Sequence, residues 1–201
     1  MAQRKLTLLR HGQCGQGDDD PCLTELGQKQ AELTGQVLCD FDITAIHYST
    51  LVRARETADI IAQNFPGVPI TGHDLLWEGV PPVPPVFLDY FGQQPDVDLS
   101  DTPITKKRFD AAYYHFFKPA KESNVHDLII CHGNIIRYLI TRALKIDPHT
   151  WVFLTVDNCS LSQIIIGPDN APSMSHFGDT VNILRFCNET GHLPADLRSQ
   201  N

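Results

Sequence analysis

The chain alternates two kinds of hydrophobic pattern. Short apolar runs without polar alternation mark strands buried on both faces, and the stretches between them carry apolar positions at helical spacing. Residues 5–9 (Lys-Leu-Thr-Leu-Leu) read as the first buried strand, followed by a polar, turn-rich loop over 12–21. Thr24 is placed to cap a helix over 24–38 whose Leu26, Leu33 and Val37 share a face. A strand over 43–48 leads into a helix over 49–65 that Pro66-Gly67 terminates, and a short strand follows at 68–71. Further helices are predicted at 106–118 and 134–144, and further strands at 127–131, 160–166 and 174–177. Together these elements predict an α/β fold with a mainly parallel sheet covered on both faces.

Residues 79–103 break the pattern. They hold Pro81, Pro82, Pro84, Pro85, Pro95 and Pro103 with little periodicity, and are expected to form an insertion covering one end of the sheet. The length of 201 residues fits one domain, 1–201, with a core that needs no staples. Sixteen Lys+Arg against twenty-four Asp+Glu give a net charge of −8, which argues against a broad basic face for nucleic acid. No apolar run reaches the roughly 18 residues of a membrane helix. The opening Met1-Ala2-Gln3-Arg4-Lys5 has the form of neither a signal nor a transit peptide. None of the six cysteines forms a C-x-x-C pair, which argues for reduced thiols rather than a zinc or dithiol site. Cys131 beside His132 invites a Cys/His nucleophile, but a buried cysteine at a strand end is the simpler reading.

In such a sheet, ligands bind beyond the C-terminal ends of the strands. Two strands run there into His-Gly: Leu8-Leu9-Arg10-His11-Gly12 and Ile129-Ile130-Cys131-His132-Gly133-Asn134. Each glycine permits a sharp exit and close approach of backbone to a ligand. One strand-end histidine alone would be structural; two in the same setting, one preceded by arginine, point to a site.

The ordered series Arg10-His11-Gly12, Leu23-Thr24-x-x-Gly27-x-x-Gln30-Ala31, Ser49-x-x-x-Arg53-Ala54-x-x-Thr57-Ala58, Glu78-Gly79, His132-Gly133 and Asn158-Cys159-Ser160 resembles the histidine phosphatase (phosphoglycerate-mutase-like) superfamily. Glu32-Leu33-Thr34-Gly35, Leu75-Leu76-Trp77-Glu78-Gly79-Val80-Pro81, Ile135-Ile136-Arg137-Tyr138 and Gly178-Asp179-Thr180 bring it nearer to that superfamily's mitochondrial serine/threonine-protein phosphatases. The resemblance implies a three-layer α/β/α sandwich and chemistry through a phosphohistidine. Physical chemistry agrees with the implied roles. A phosphate monoester is dianionic, so a nucleophile nears it only after its charge is neutralised, here by Arg10, Arg53 and His132. His11 must be neutral, with one ring nitrogen donating to a backbone carbonyl and the other presenting a lone pair. Glu78 corresponds to the general acid/base and needs partial burial, for which Trp77, Val80 and Pro81-Pro82 offer an apolar wall. The residue before this glutamate is usually arginine in the family; here it is Trp77.

Gly12, Asn134 and Ser160 are further candidates to line the phosphate, although turn or cap roles fit the last two as well. Arg137, one helical turn past His132, fits either the phosphate or a helix salt bridge. The remaining seven histidines read as structural or exposed, and no metal or other cofactor is implied. Asp18-Asp19-Asp20 reads as a solvated loop close to the site, with a charge that disfavours highly anionic substrates. The expected activity is phosphomonoester hydrolysis, with phosphoserine or phosphothreonine in proteins as substrate. A small-metabolite phosphatase or mutase is the first alternative. Against it, the cofactor-dependent mutases of the family carry Glu-Ser-x-Trp-Asn where this chain has Gln13-Cys14-Gly15-Gln16-Gly17. A non-catalytic phosphopeptide-binding scaffold is the second alternative. The expected partner is a phosphorylated substrate, with neither nucleic acid nor membrane, and homodimerisation follows from the resemblance alone. A cytoplasmic, free-standing chain is expected, or a mitochondrial one if the chain is a trimmed form.

Overall fold

Strand β1 (Arg4–Arg10) lies inside a mixed sheet, in a computed structural model that describes residues 2–17, 19–94, 98–167 and 181–198. Its companions are β2 (Ala45–Ser49), β3 (Ile70–His73), β4 (Val125–Cys131), β5 (Leu161–Gly167) and β6 (Val181–Glu189), in the order β3-β2-β4-β1-β5-β6. The first four positions run parallel, whereas β5 pairs antiparallel with β1 and β6 antiparallel with β5. The parallel half is as expected. The antiparallel half arises because the turn before β5 sits at the C-terminal end of β1, where Ser160 O accepts from Arg10 N at 3.4 Å. The chain therefore enters β5 from the site end of the sheet, a direction that hydrophobic periodicity does not encode.

Alternation along the strands divides the core in two. Leu6 and Leu8 of β1 pack with Ile129 and Cys131 of β4 against α4 (Thr102–Phe116) and α5 (Gly133–Ala143), through Phe109, Phe116, Ile135, Tyr138 and Leu139. Leu9, Leu128 and Ile130 face the other way, onto Ala31 and Leu38 of α1 (Glu25–Leu38) and Ala58 and Ile61 of α2 (Val52–Ala62). The result is an α/β/α sandwich. Each such Leu or Ile, fully buried, stabilises it by roughly 1.5–3 kcal/mol.

Thr24 caps α1 as expected, its hydroxyl accepting from Gly27 N at 3.1 Å. Helix α2 starts at Val52 rather than Ser49, because Ser49 closes β2 and Leu51 is still extended. The irregular insertion expected over 79–103 is shorter than predicted. A 3₁₀ turn (Pro85–Phe87) and α3 (Leu88–Gly92) interrupt it, and α4 begins at Thr102 with Pro103 in its first turn. Proline is tolerated there because that amide has no helical acceptor. Trp151 Nε1, donating to Pro82 O at 2.9 Å, ties the segment down. The predicted strand at 174–177 lies outside the described residues, and β6 went unpredicted: its burial is partial and irregular, as suits an edge strand.

Candidate active site

β1 and β4 run in register with Arg10 opposite Cys131, so the next residues, His11 and His132, leave the sheet side by side. Their ring centroids are 5.1 Å apart, nearly edge to face. β2 ends at the same level, with Tyr48 opposite Ile130, which places Ser49 Oγ 2.8 Å from His132 Nε2. α2 then begins, and Arg53 in its first turn brings Nε to 3.2 Å from His11 Nε2. Glu78 follows the 3₁₀ turn (Asp74–Leu76) at the end of β3.

His11 is almost wholly buried. Its Nδ1 lies 2.7 Å from Gly12 O, an acceptor only, so Nδ1 carries the proton and Nε2 the lone pair. Burial, and then the charge of Arg10, push its pKa down to about 3, with Arg53 adding and the Gly12 carbonyl opposing. The backbone is held too. His11 N donates to Cys131 O at 3.0 Å, and His11 O accepts from Asn158 Nδ2 at 3.0 Å and Cys159 N at 3.3 Å. Cys159 adopts a positive φ of 53° in this turn, and burial lifts its thiol pKa to about 12. Burial raises the Cys131 thiol as well, so neither cysteine offers a thiolate.

Arg10 Nη1 donates to Val156 O at 2.6 Å, while its Nε is buried without a partner. His132 is wholly buried, with Nδ1 likewise unpartnered. Burial, His11 and the surrounding arginines push its pKa well below the usual range. In the unloaded site His132 is therefore a neutral hydrogen-bonding group, and the charge attributed to it by sequence falls to the arginines.

The Glu78 carboxyl is turned inward. Oε1 accepts from Gly79 N at 3.1 Å and Oε2 from Asn134 N at 3.3 Å. Burial raises its pKa above the ordinary carboxylate range, outweighing those two amides, Arg10 and Arg53. Its apolar surroundings differ from expectation. Trp77 is 40% exposed and points its Nε1 at Thr50 Oγ1, whereas Pro81 and Val83 are buried.

The histidine phosphatase superfamily (branch 1) matches residues 6–79 and 90–180 of this chain. The chain belongs to this superfamily. It is 36% identical over 187 residues to the mitochondrial serine/threonine-protein phosphatase PGAM5 of Xenopus tropicalis, covering 89% of this chain and 66% of that protein. It is 38% identical over 200 residues to the mitochondrial Pgam5 of Caenorhabditis elegans, covering 96% of this chain and 65% of that one. The chain thus spans slightly less than two thirds of these curated relatives. Among solved structures, phosphoglycerate mutase of Plasmodium falciparum superposes with a TM-score of 0.63 at 27% identity, covering 97% of this chain and 96% of that one.

Several contacts in this superfamily member lay beyond sequence reading. Arg108, from α4, donates from Nη2 to Glu78 O at 2.7 Å and to Trp77 O at 3.4 Å. Arg108 thus brings a cation from another element beside the backbone of Trp77 and Glu78. Arg137 forms none of the ion pairs found among the described residues; it lies over the Trp151 ring at 5.9 Å and close to Arg10 across Gly133. Asp20 pairs with Arg53 at 3.3 Å, and so is no mere solvated charge. Gly12 was expected to approach a ligand, yet its amide is taken by Thr57 Oγ1 at 3.1 Å and its face lies against the backbone of Gly27. Asn134 contributes its amide, and the Ser160 hydroxyl is buried without a partner. His47, His73 and His115, read from sequence as structural or exposed, form a cluster with ring separations of 5.1 and 5.5 Å. No group among the described residues has the ligands to hold a metal, and no described helix is long and apolar enough to cross a membrane.

Proposed function

We propose that the chain hydrolyses phosphomonoesters through a phosphohistidine on His11. The observation that carries this reading is the state of that imidazole: Nδ1–H held by a backbone carbonyl, Nε2 unprotonated and facing the Arg53 guanidinium. A dianionic phosphate would draw Arg53 and the unpartnered Nε of Arg10 onto its oxygens. With the Ser49 hydroxyl donating to His132 Nε2, Nδ1–H of His132 adds a third donor. In the first step Nε2 bonds to phosphorus as the ester P–O bond breaks, and the leaving oxygen takes the Glu78 proton. In the second, water attacks phosphorus and gives its proton to the Glu78 carboxylate. The P–N electron pair returns to His11, releasing inorganic phosphate. His11→Ala should abolish turnover and the phosphohistidine trapped from wild type by a rapid quench without acid. Undiminished turnover in that variant refutes the reading.

The favoured substrates are phosphoserine and phosphothreonine in proteins, supported by the activity in the relatives' names. A small-metabolite mutase is the second reading, supported by the likeness to the Plasmodium enzyme. Incubation with 3-phosphoglycerate and its bisphosphate primer separates them, since isomerisation would overturn the preference. The relatives' names favour the mitochondrial over the cytoplasmic setting, and cell fractionation tests this. A homodimer and a site covered by residues 79–103 remain part of the proposal, to be tested by light scattering and by deletion within the segment.

A further inference from the structure

We propose that Asp20 is a positioning residue that aims Arg53 in the unloaded site and, through its charge, keeps product phosphate from being held too tightly. The inference rests on the phosphatase reading above. Both carboxylate oxygens of Asp20 accept from Val52 N, at 2.9 and 3.0 Å, at the first amide of α2. Oδ1 also lies 3.3 Å from Arg53 Nη1. Arg53 is 12% exposed and Asp20 35% exposed, so the pair sits at the site's edge with its cation inside. The same guanidinium donates from Nε to His11 Nε2. One arginine therefore spans a fixed carboxylate and the nucleophile.

Two consequences follow. An arginine loses much rotamer freedom on being fixed, and a site that has already fixed it imposes less of that cost when substrate arrives. A carboxylate beside a cation also weakens the pull of that cation on a second anion. The lone pair on Nε2 cannot attack phosphorus while it accepts from Arg53, so phosphate must take over that N–H. Asp20 keeps its hold on Val52 N while Arg53 shifts. The charge that eases this exchange also eases the departure of phosphate.

The test compares Asp20→Asn, which keeps an acceptor for Val52 N and removes the charge, with Asp20→Ala, which removes both. Inorganic phosphate binding is measured by calorimetry, and kcat and KM on p-nitrophenyl phosphate by turnover. Asp20→Asn is expected to bind phosphate roughly two- to fivefold tighter than wild type. Asp20→Ala is expected to lose kcat that Asp20→Asn retains. Phosphate affinity in Asp20→Asn no greater than in wild type, or equal kcat in the two variants, overturns the inference. Should neither variant fold, Val52→Pro removes the anchoring amide at a helix position that accepts proline. Reduced kcat there supports the inference, and wild-type kcat overturns it. Wild-type protein that binds phosphate but hydrolyses no monoester sinks the phosphatase reading instead, and leaves the calorimetric comparison decisive for Asp20.

Discussion

Arg53 Nε stands 3.2 Å from His11 Nε2, so the lone pair of that imidazole faces a cation in the unloaded site. The planar fork that makes this contact leaves further N–H groups to grip phosphate oxygens. Lysine would keep the charge and lose the fork. Arg53→Lys is therefore expected to lower kcat/KM on p-nitrophenyl phosphate by about 10²-fold with the melting temperature nearly unchanged. A loss of less than threefold would show that charge alone suffices.

Burial raises the Glu78 pKa above the ordinary carboxylate range, against two amides that favour its charged form. A general acid matters most when the leaving oxygen is a poor leaving group. Glu78→Gln should cost about 10²–10⁴-fold in kcat on an alkyl phosphomonoester and distinctly less on p-nitrophenyl phosphate. The alkaline fall in wild-type kcat/KM should also disappear. Equal losses on both substrates would remove Glu78 from that role.

His11 has an ordinary pKa of 6.5 when unfolded and about 3 when folded. Between those values the unfolded chain binds more protons, so stability rises with pH and is lost as pH falls through the window. Within it His11 alone contributes a slope of up to about 1.4 kcal/mol per pH unit. His47 and His126, both held near 4, act in the same sense. Urea midpoints are therefore expected to fall steadily from pH 6.5 towards pH 4, and less steeply in His11→Gln. A pH-independent midpoint across that range would contradict the buried neutral imidazoles.

Three glycines near the site should respond differently to alanine. A methyl group on Gly12 would run into the carbonyl of Gly27, and one on Gly27 into the carbonyl of Gln13. Backbone cannot yield there, so each variant should lose about 3 kcal/mol or more of stability. At Gly133 the nearest atoms to an added methyl are Arg10 Nε and Arg137 Nη2, both at 3.7 Å, which is ordinary contact. Gly133→Ala should fold with a melting temperature close to wild type. Thermal denaturation of the three variants checks the contrast.

The sequence by itself determined the elements of the parallel half and the residues that leave its ends. Leu8-Leu9 and Ile129-Ile130 lie in short apolar runs that fit a doubly covered strand, and the Arg-His-Gly and His-Gly exits follow directly from them. The Thr24 cap was legible because its contact with Gly27 spans three residues. Tertiary structure alone decided the antiparallel direction of β5, the partners Arg108 and Asp20, the outward turn of Trp77 and the packing role of Gly12. Each depends on contacts between residues far apart in the chain: Arg108 reaches a carbonyl 30 positions away and Asp20 pairs 33 positions away. The neutrality of His132 belongs to the same class, since burial and the arginines around it set its charge and neither is a property of local sequence.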